Sequence, residues 1–435
     1  QRQMCIRDRF ICGDVINVES ENTLRIMRKG WLYATGLVCL MAACTGTPQS
    51  SADGLCSIDV AGAMEKPAEL KLSELGSDVR YVLLETTDSC LIGGNPNILL
   101  LDKQIAVVSG KNCFLFDKET GKFLTKVGHV GEDPEAYSGP APTYNDVDGL
   151  LYFMRRPATL QKYDMQGKYR GKLTIPTPPA SPGDFCFTDS LVIGHYNNLA
   201  MGYNARSLLF FNEAGEQVDT VPSLFPVLPE KGVQDIASIS VIKQGNAGIV
   251  LSNFKDGENS ASITGIPFLW KSDGEVRFKE SFNDTIYTVE RNGLVPYIAF
   301  ATGKWHWGAE ARTDSKDNEN RLLVGCIFET KDNVFFQCIQ GLYSDPKTFN
   351  GIYDRKAKTT RMYAEADGIT DDLNGFMAFR PKACSMKGEY GMIIDSGTVL
   401  EWLEENPEAA ENDKLSVLKE LTDDSNPIVA ITVPK

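Results

Sequence analysis

The stretch "CFLFDKETGKFLTKVG", residues 113–128, decides the fold, because its pattern returns along the chain. Two short apolar runs surround a turn that contains Asp117 and Gly121. Similar arrangements occur in "LQKYDMQGKYRGKL", "LLFFNEAGEQVDTV" and "FLWKSDGEVRFKES". A polar turn residue followed by glycine three or four positions later suits a type I bend that ends in a left-handed residue. The pattern therefore predicts a repeated β-hairpin.

The spacing of these hairpins predicts the architecture. The turn glycines at positions 121, 167, 215 and 274 lie 46, 48 and 59 residues apart. A unit of about 40–60 residues with about four strands has the size of a propeller blade. Six units fit the chain, at residues 79–128, 144–176, 185–222, 236–302, 320–365 and 374–435, the fourth with an insertion. We predict an all-β, six-bladed β-propeller of four-stranded antiparallel blades over residues 70–435. A β-sandwich with several tight hairpins is the alternative.

The two ends of the predicted propeller are expected to meet. "VRYVLLETT" near the start and "PIVAITVPK" at the end are predicted to pair within one blade, which removes the exposed edges of an open array. A short C-terminal helix is predicted before that closing strand, in "NPEAAENDKLSVLKELTDD". Pro407 lies near its start, and Leu415, Leu418 and Leu421 share one face.

The N-terminal region contains a candidate export signal, "MRKGWLYATGLVCLMAACTGTPQSS", that starts at Met27. Two basic residues precede an apolar run too short to span a bilayer comfortably. The segment resembles a bacterial lipoprotein signal, which implies cleavage before Cys44 and lipidation of its thiol. We interpret residues 1–26 as a non-native upstream segment, 27–43 as the signal peptide and 44–69 as the lipidated cysteine with a flexible tether. A chance apolar run is the alternative.

Five segments in a fixed order carry a wider resemblance. They are "LSELGSDVRYVLLETTDSCLIGG", "FDKETGKFLTKVGHVGEDPEAY", "FNDTIYTVERNGLVPYIAF", "DDLNGFMAFRP" and "LKELTDDSNPIVAITVPK". Together they resemble the six-bladed β-propeller lipoproteins of Bacteroidota, over most of residues 70–435. The resemblance implies a lipid-anchored protein of the cell envelope and no common activity. Relatives carry Gly-x-Gly-Pro-Gly-Glu-Tyr where this chain has "GHVGEDPEAY", so Asp133 and Ala136 stand at glycine positions.

Charge limits the partners. The net charge is −14 and the isoelectric point is about 4.9, whereas nucleic acids and anionic lipid surfaces attract basic proteins. We therefore expect no nucleic-acid partner and membrane contact through the lipid anchor only. The expected protein is a monomer that binds a small molecule, a glycan or a protein. The residues after Cys44 lack the acids found in surface-exported relatives, which favours the periplasm-facing side of the outer membrane.

In the predicted blade geometry, the tight turns join the third and outermost strands and lie on one face, and the longer loops lie on the other. Binding residues tend to lie on long loops over a rigid scaffold. The adjacent Arg155 and Arg156 could hold a carboxylate, sulfate or phosphate group through their planar guanidinium groups. Aromatic rings beside them could stack on a sugar. The alternative is a set of solvated loop residues. The candidate ligand-binding residues are Glu132, Glu135, Tyr137, Arg155, Arg156, His195, Tyr196, Asn197, Lys255, Asp256, Tyr343 and Asp345.

Catalysis has little support in the sequence. His129, His195 and His306 fall in different units and outside known catalytic motifs. We therefore favour non-catalytic binding over the alternative, a propeller hydrolase or lyase acting on a glycan or lactone with or without a metal. No cofactor is predicted, although acids and amides in "NDVDG" and "DDLNG" could hold Ca²⁺ as well as form turns.

Two cysteines are symmetrically placed about a predicted turn. Cys326 and Cys338 are equally far from Asp332. In an antiparallel hairpin they could lie opposite each other and form a disulfide in an oxidising compartment. Two buried free thiols are the alternative.

Overall fold

The computed structural model describes residues 55–177, 182–196, 206–225, 231, 233–311, 314 and 316–435. Cys44 and Asn197 lie outside the described residues. Within the described part, the chain forms seven β-sheets and two α-helices. All described strand pairs are antiparallel except the pair of the first strand, β1 (Cys56–Ile58), with β21 (Gly293–Phe300). The fold is all-β and propeller-like.

Three sheets follow one another in chain order, each with its strands in sequence order. Sheet 1 contains β3 (Asn97–Leu100), β4 (Gln104–Ser109), β5 (Asn112–Asp117) and β6 (Phe123–Lys126). Sheet 2 contains β7 (Pro142–Asn145), β8 (Leu150–Arg155), β9 (Thr159–Tyr163) and β10 (Tyr169–Thr174). Sheet 3 contains β11 (Asp184–Phe187), β12 (Val192–His195), β13 (Arg206–Phe211) and β14 (Gln217–Pro222).

The next region contains an inserted sheet and two larger ones. The insert sheet contains β15 (Ile236–Gln244), β16 (Ala247–Phe254) and β17 (Asn259–Thr264). Sheet 4 contains β18 (Leu269–Ser272), β19 (Glu275–Phe278), β20 (Thr285–Glu290), β21 (Gly293–Phe300) and β1 (Cys56–Ile58). Sheet 5 contains β22 (Leu322–Glu329), β23 (Asn333–Gln340), β24 (Lys347–Asp354) and β25 (Thr359–Ala364).

The last sheet joins both ends of the described chain. Sheet 6 contains β26 (Ala383–Cys384), β27 (Tyr390–Ile394), β28 (Ile428–Val433) and β2 (Asp78–Leu83). The α-helices are α1 (Val60–Glu65) and α2 (Ser396–Glu405), and the described 3₁₀ helices are Leu72–Glu74, Val233–Asp235, Gly303–Trp305, Ala309–Ala311, Asn318–Asn320, Ala409–Glu411 and Asp413–Glu420.

Strands inside the sheets are apolar on both faces because neighbouring sheets cover both faces. In β5, Cys113 to Phe116 are all buried, whereas the outermost strand β6 has half-buried residues in alternation with exposed ones. Six shared hydrophobic clusters join sheet 1 to 2, 2 to 3, 3 to 4, 4 to 5, 5 to 6 and 6 to 1. A seventh cluster joins the insert sheet to the edge of sheet 5. Each of the six numbered sheets therefore packs against two others.

The predicted pairing of the two chain ends is confirmed. Strand β2 pairs with β28 over six residues, from Asp78 opposite Val433 to Leu83 opposite Ile428. The intervening helix α2 precedes the closing strand as expected, but it begins at Ser396, where the Asp395 side chain caps it. The predicted stretch forms 3₁₀ helices instead, and Leu415, Leu418 and Leu421 are buried in the cluster between sheets 5 and 6.

The recurrent turn glycines have a second role beside their backbone conformation. Gly121 has a φ of +70°, and a Cβ there would lie 1.8 Å from the carbonyl oxygen of Leu83, the last residue of β2. Gly167 lies in the same way against the Lys126 carbonyl of sheet 1, at 2.8 Å, and Gly215 against the Thr174 carbonyl of sheet 2, at 3.0 Å. Each outer hairpin therefore touches the end of the outermost strand of the preceding sheet.

Two details of the prediction were wrong. The turn at Gly274 joins the first two strands of sheet 4, not the outer two. Residues 55–69 were assigned to a flexible tether, but they form β1 and α1, and α1 packs against β25. The fourth unit does contain the predicted insertion, since residues 236–302 form the insert sheet and sheet 4. The local hairpin pattern does not reveal which neighbour a strand pairs with.

The disulfide proposal was also wrong in register. Cys326 and Cys338 are both free thiols. Next to the turn, Phe328 pairs with Phe335, which is one residue away from the predicted register. A β-bulge between Gly325 and Phe328 adds a second residue, so Cys338 lies opposite Val324, and Cys326 has a φ of +46°. The open alternative, two buried free thiols, describes the structure.

Replacement of Gly121 by alanine is expected to destabilise the fold by more than the same change at Gly274. Both glycines have a positive φ, but a Cβ at Gly274 meets no atom within 4 Å. We expect a loss of about 1 kcal/mol for Gly274→Ala and roughly 2–3 kcal/mol for Gly121→Ala. Urea unfolding measures both, and equal losses would show that contact with Leu83 is unimportant.

Alkaline pH is expected to destabilise the protein through its buried thiols. Burial raises the pKa of Cys113 and of Cys186 to about 12, whereas a thiol in the unfolded chain ionises near pH 8.5. Below that pH both states hold the proton. Above it only the unfolded state loses the proton, so the free energy of unfolding falls by about 1.4 kcal/mol per pH unit for each such thiol.

Unfolding in urea between pH 7 and 9.5 tests this expectation. The Cys113→Ala/Cys186→Ala variant should lose stability less steeply than the wild type above pH 8.5, whatever its stability at pH 7. Parallel curves for the two proteins would contradict the assignment.

Candidate functional site: the central cavity

The candidate site is a cavity of about 1200 Å³, here called the central cavity. Its wall includes the first strand of each numbered sheet, namely β3, β7, β11, β18, β22 and β26. Because the six sheets pack against one another in series, their first strands face a common space. A cavity of this size suits a small-molecule or oligomeric ligand.

The wall combines apolar and charged side chains. Tyr144, Trp270 and Phe328 are half-buried aromatic residues on three different first strands, and Leu99 and Ile98 add aliphatic surface. Aromatic rings offer large flat surfaces that can stack on a ligand. The charged residues of the wall are Asp102, Asp146, Asp184, Lys243, Lys271, Asp273, Glu329, Lys331, Lys382, Lys387, Glu389 and Asp395.

One end of the cavity, the turn end, is formed by the turns that follow the first strands. Ion pairs link different sheets there: Lys271 of sheet 4 contacts Asp146 of sheet 2 at 2.5 Å, and Lys387 of sheet 6 contacts Asp102 of sheet 1. Nearby, the buried Lys118 amine donates to Glu389 at 2.5 Å and to the Leu101 carbonyl at 2.9 Å.

Glu329 is the most buried acid of the wall. Its side chain is fully buried and accepts hydrogen bonds from Arg355 at 2.5 Å and from Trp270 Nε1 at 3.0 Å. Arg277 approaches the same carboxylate at 3.8 Å and lies 3.8 Å from the centre of the Tyr297 ring. A buried carboxylate held by two guanidinium groups is a structural ion pair between sheets 4 and 5, and it fixes the indole of Trp270 in the wall.

The opposite end, here called the insert end, is formed by turns of the insert sheet and by the chain before β11, β18 and β26. Lys243, Gly245 and Asn246 line it together with Lys382 and Asp184. Asp184 accepts hydrogen bonds from the backbone N–H groups of Phe185, Phe268 and Leu269, at 2.7–2.9 Å. Burial raises the pKa of its carboxyl.

The predicted site residues that the structure describes lie elsewhere, since none of these eleven belongs to the wall of the central cavity. Tyr137 is fully buried, stacks on Phe153 at 4.3 Å and donates to the Val127 carbonyl. Burial raises its pKa. Tyr137 is therefore a core residue that fixes its loop, which corrects its assignment to a ligand site.

Arg155 holds the loop in front of it. Its guanidinium donates to the backbone carbonyls of Glu132, Asp133 and Ala136. Arg156 is exposed and its backbone N–H donates to Ser138 at 2.9 Å. The two arginines do not form a joint anion site, because the first already serves three carbonyl groups. Glu132 and Glu135 are exposed on the same loop.

His195 and Tyr196 are buried. His195 Nε2 lies 3.2 Å from Glu280 Oε1, and Glu280 Oε2 accepts a hydrogen bond from Ser207 at 3.2 Å. The carboxylate thus lies between the hydroxyl and the imidazole, whereas a nucleophilic serine needs the imidazole as its immediate neighbour. Tyr196 donates to the Pro176 carbonyl at 2.6 Å.

The remaining predicted residues are scattered. Lys255 is exposed and donates to the Gln234 carbonyl, and Asp256 forms an exposed ion pair with Lys231 at 2.6 Å. Tyr343 is partly buried with its ring edge against Trp307, and Asp345 is exposed. Long loops therefore did not identify the cavity wall. The useful signal was the first strand of each unit, where "PTYN" and "LWKS" contribute an aromatic residue each.

The described part of the chain contains neither a metal-binding cluster nor a membrane-spanning helix. Among those residues no group of three or more His, Cys, Asp or Glu side chains is arranged to hold a metal ion. No described helix combines the length and apolarity needed to cross a bilayer.

Several solved structures are similar to this chain at low sequence identity. A Bacteroides fragilis protein provisionally described as exported is 15% identical, with a TM-score of 0.58, over 88% of this chain and 100% of its own. The WD40 repeats of RRP9 are 11% identical with a TM-score of 0.35, over 84% of this chain and 99% of theirs. The WD40 domain of SCAP from fission yeast is 8% identical with a TM-score of 0.29, over 73% and 82%.

No curated protein matches the sequence significantly. A family described as a domain of unknown function, DUF4934, matches residues 55–433, which span nearly all of the described chain. The chain therefore belongs to the DUF4934 family.

Proposed function

We propose that the protein is a lipid-anchored, six-bladed β-propeller of the cell envelope that binds a ligand in its central cavity without catalysing a reaction. The observation that carries the proposal is the cavity itself, whose wall takes one strand from each of six sheets. Six clusters that join the sheets in series, and the pairing of β2 with β28, support a closed ring of six blades.

Binding is favoured over catalysis by the composition of the wall. Two lysines at the turn end, Lys271 and Lys387, are paired with aspartates of the wall, and Glu389 is paired with Lys118. The buried histidine, glutamate and serine cluster is arranged for structure rather than for nucleophilic attack. Half-buried aromatic rings on rigid strands are suited to holding a ligand in place. A glycan or another small molecule is the proposed occupant of the cavity.

The exposed loop residues are a separate part of the proposal. Glu132, Glu135, Arg156, Lys255 and Asp345 lie on the surface rather than in the cavity. Such residues are suited to contact with a protein partner.

The location is supported by the sequence before the described residues. "LMAAC" ends at Cys44 as a lipoprotein signal would, and the similar protein from Bacteroides fragilis is provisionally described as exported. Anchoring on the periplasmic side of the outer membrane agrees with the absence of acids directly after Cys44.

Closure of the insert end tests the cavity as the binding site. Gly94 lines that end, and a Cβ there would meet no atom within 4 Å. Gly139 is equally open but lies outside the wall. A library of neutral and acidic oligosaccharides is screened for binders that raise the melting temperature, and the best binder is titrated by calorimetry.

We expect Gly94→Trp to weaken binding at least about tenfold, because the indole occupies space that the ligand needs, and Gly139→Trp to bind like the wild type. Unchanged affinity in the Gly94→Trp protein would place the ligand outside the cavity and refute the proposed function.

Replacement of Cys44 by serine tests the anchor. A serine hydroxyl does not take the lipid, so the protein is expected to move from the membrane fraction to the soluble fraction and to lose incorporation of labelled palmitate. Cys56→Ser is the matched control, because Cys56 lies in β1 after the tether. Membrane retention of the Cys44→Ser protein equal to that of the control would contradict lipidation at Cys44.

A further inference from the structure

We infer that Lys243 and Lys382, at the insert end of the central cavity, bind an anionic group of the ligand. The inference rests on the proposed function and adds the charge and the position of the ligand. Both lysines line the cavity at the insert end, although they are 139 positions apart in the sequence (382 − 243).

Fixed contacts bring the two lysines together. The Asn246 side chain donates through Nδ2 to the Pro381 carbonyl at 2.9 Å, directly before Lys382. Its backbone N–H donates to Gln337 Oε1 at 3.0 Å. Gln244, next to Lys243, donates to Thr348 Oγ1 at 2.8 Å. Hydrogen bonds therefore fix the turn between β15 and β16 against sheets 5 and 6 at the insert end.

Neutralisation of these lysines by the protein is incomplete. Lys243 has no ion-pair partner among the described residues, and Lys382 has only Glu365, at 3.6 Å. The other carboxylates of this end serve the backbone. Asp184 accepts from three N–H groups, and Asp395 caps helix α2 by accepting from Gly397 at 3.0 Å.

The turn end differs in this respect. Lys271 and Lys387 each contact an aspartate from another sheet, and Lys118 contacts Glu389. Lys331 is the remaining wall lysine at the turn end, and it lies 3.9 Å from Asp332. An anion that enters the cavity therefore finds two incompletely paired lysines near each other only at the insert end of the described wall. The contrast is marked in a protein whose net charge is −14.

The proximity of the two lysines has an electrostatic cost that an anion would remove. Desolvation lowers the pKa of Lys382, Glu365 opposes that shift, and the neighbouring Lys243 lowers the pKa further. A carboxylate or sulfate placed between two ammonium groups accepts charge-assisted hydrogen bonds from both.

The aromatic residues of the cavity wall indicate the class of molecule that carries the anionic group. Tyr144, Trp270 and Phe328 present rings in the same cavity, and rings of this kind stack on the apolar faces of sugars. The ligand class is therefore a carbohydrate that bears a carboxylate or a sulfate. The two anionic groups share the chemistry of recognition, and separate probes distinguish them.

Calorimetric titration tests the inference with three probes of equal length: trigalacturonate, a sulfated galactose trisaccharide and neutral galactotriose. We expect at least one anionic probe to bind more tightly than the neutral one, with an affinity that falls as salt is raised. The Lys243→Met/Lys382→Met variant should bind that probe at least about tenfold more weakly. Lys382→Arg, which keeps the charge, should retain binding.

The matched control is Lys126→Met/Lys172→Met, which removes the same charge from exposed positions on outermost strands. Circular dichroism and melting temperature confirm that each variant is folded. Equal binding of neutral and anionic probes, or unchanged affinity of the Lys243→Met/Lys382→Met protein, overturns the inference. Absence of binding by both anionic probes overturns it as well.

The outcomes separate this inference from the proposed function. If a neutral ligand loses its binding in Gly94→Trp but keeps it in the double lysine variant, the cavity is the binding site and the inference of an anionic group is wrong. If an anionic ligand still binds the Gly94→Trp protein, the cavity is not the binding site and the proposed function is wrong.

Discussion

The antiparallel pairing of β2 with β28 is the constraint on which the rest of the structure depends. It places a strand from the start of the described chain at the outer edge of the last sheet. Sheet 6 packs against both sheet 5 and sheet 1, so this strand completes the sheet that lies between the two ends of the series. The end of β2, at Leu83, is also the surface on which the Gly121 turn of sheet 1 rests, and the Glu85 N–H donates to the Gly121 carbonyl at 2.9 Å.

The same contact then recurs from sheet to sheet. The end of β6 receives the Gly167 turn, and the end of β10 receives the Gly215 turn. Glycine at these positions satisfies two conditions together, a left-handed backbone and room for a carbonyl oxygen where a Cβ would lie. The hairpin pattern therefore recurs in the sequence because each of these contacts between successive sheets requires a glycine in the turn.

The sequence allowed prediction of whatever depends on local pattern. The Asp117–Gly121 hairpin, the four-stranded sheets and the pairing of the chain ends follow from short apolar runs and turn residues. The Gly274 turn was misplaced within its sheet because the first and third hairpins of a sheet have the same local signature. The predicted pairing of Cys326 with Cys338 failed because the turn sets the register one residue away from a symmetric hairpin and a bulge adds a second residue, and the residue pattern reveals neither shift.

The candidate site was harder to predict for a physical reason. Loops with conspicuous residues, such as Arg155 and Tyr137, proved to use those residues to hold their own backbone. The wall of the cavity instead takes a few residues from each of six distant strands, so no contiguous motif marks it. Only a fold with the sheets already arranged in series brings Tyr144 and Trp270 to one cavity.

The insert sheet gives the site its asymmetry. Without residues 236–264, the insert end would keep Lys382 but lose Lys243, and the Pro381 carbonyl would lose its Asn246 partner. The scaffold of six numbered sheets forms ion pairs between sheets at the turn end, and it contributes Lys382 but not Lys243 to the insert end. An insertion that leaves the scaffold intact can therefore change what the cavity binds. The proposed preference for an anion thus depends on the insertion in the fourth unit, whereas the cavity itself is formed mainly by the repeated sheets.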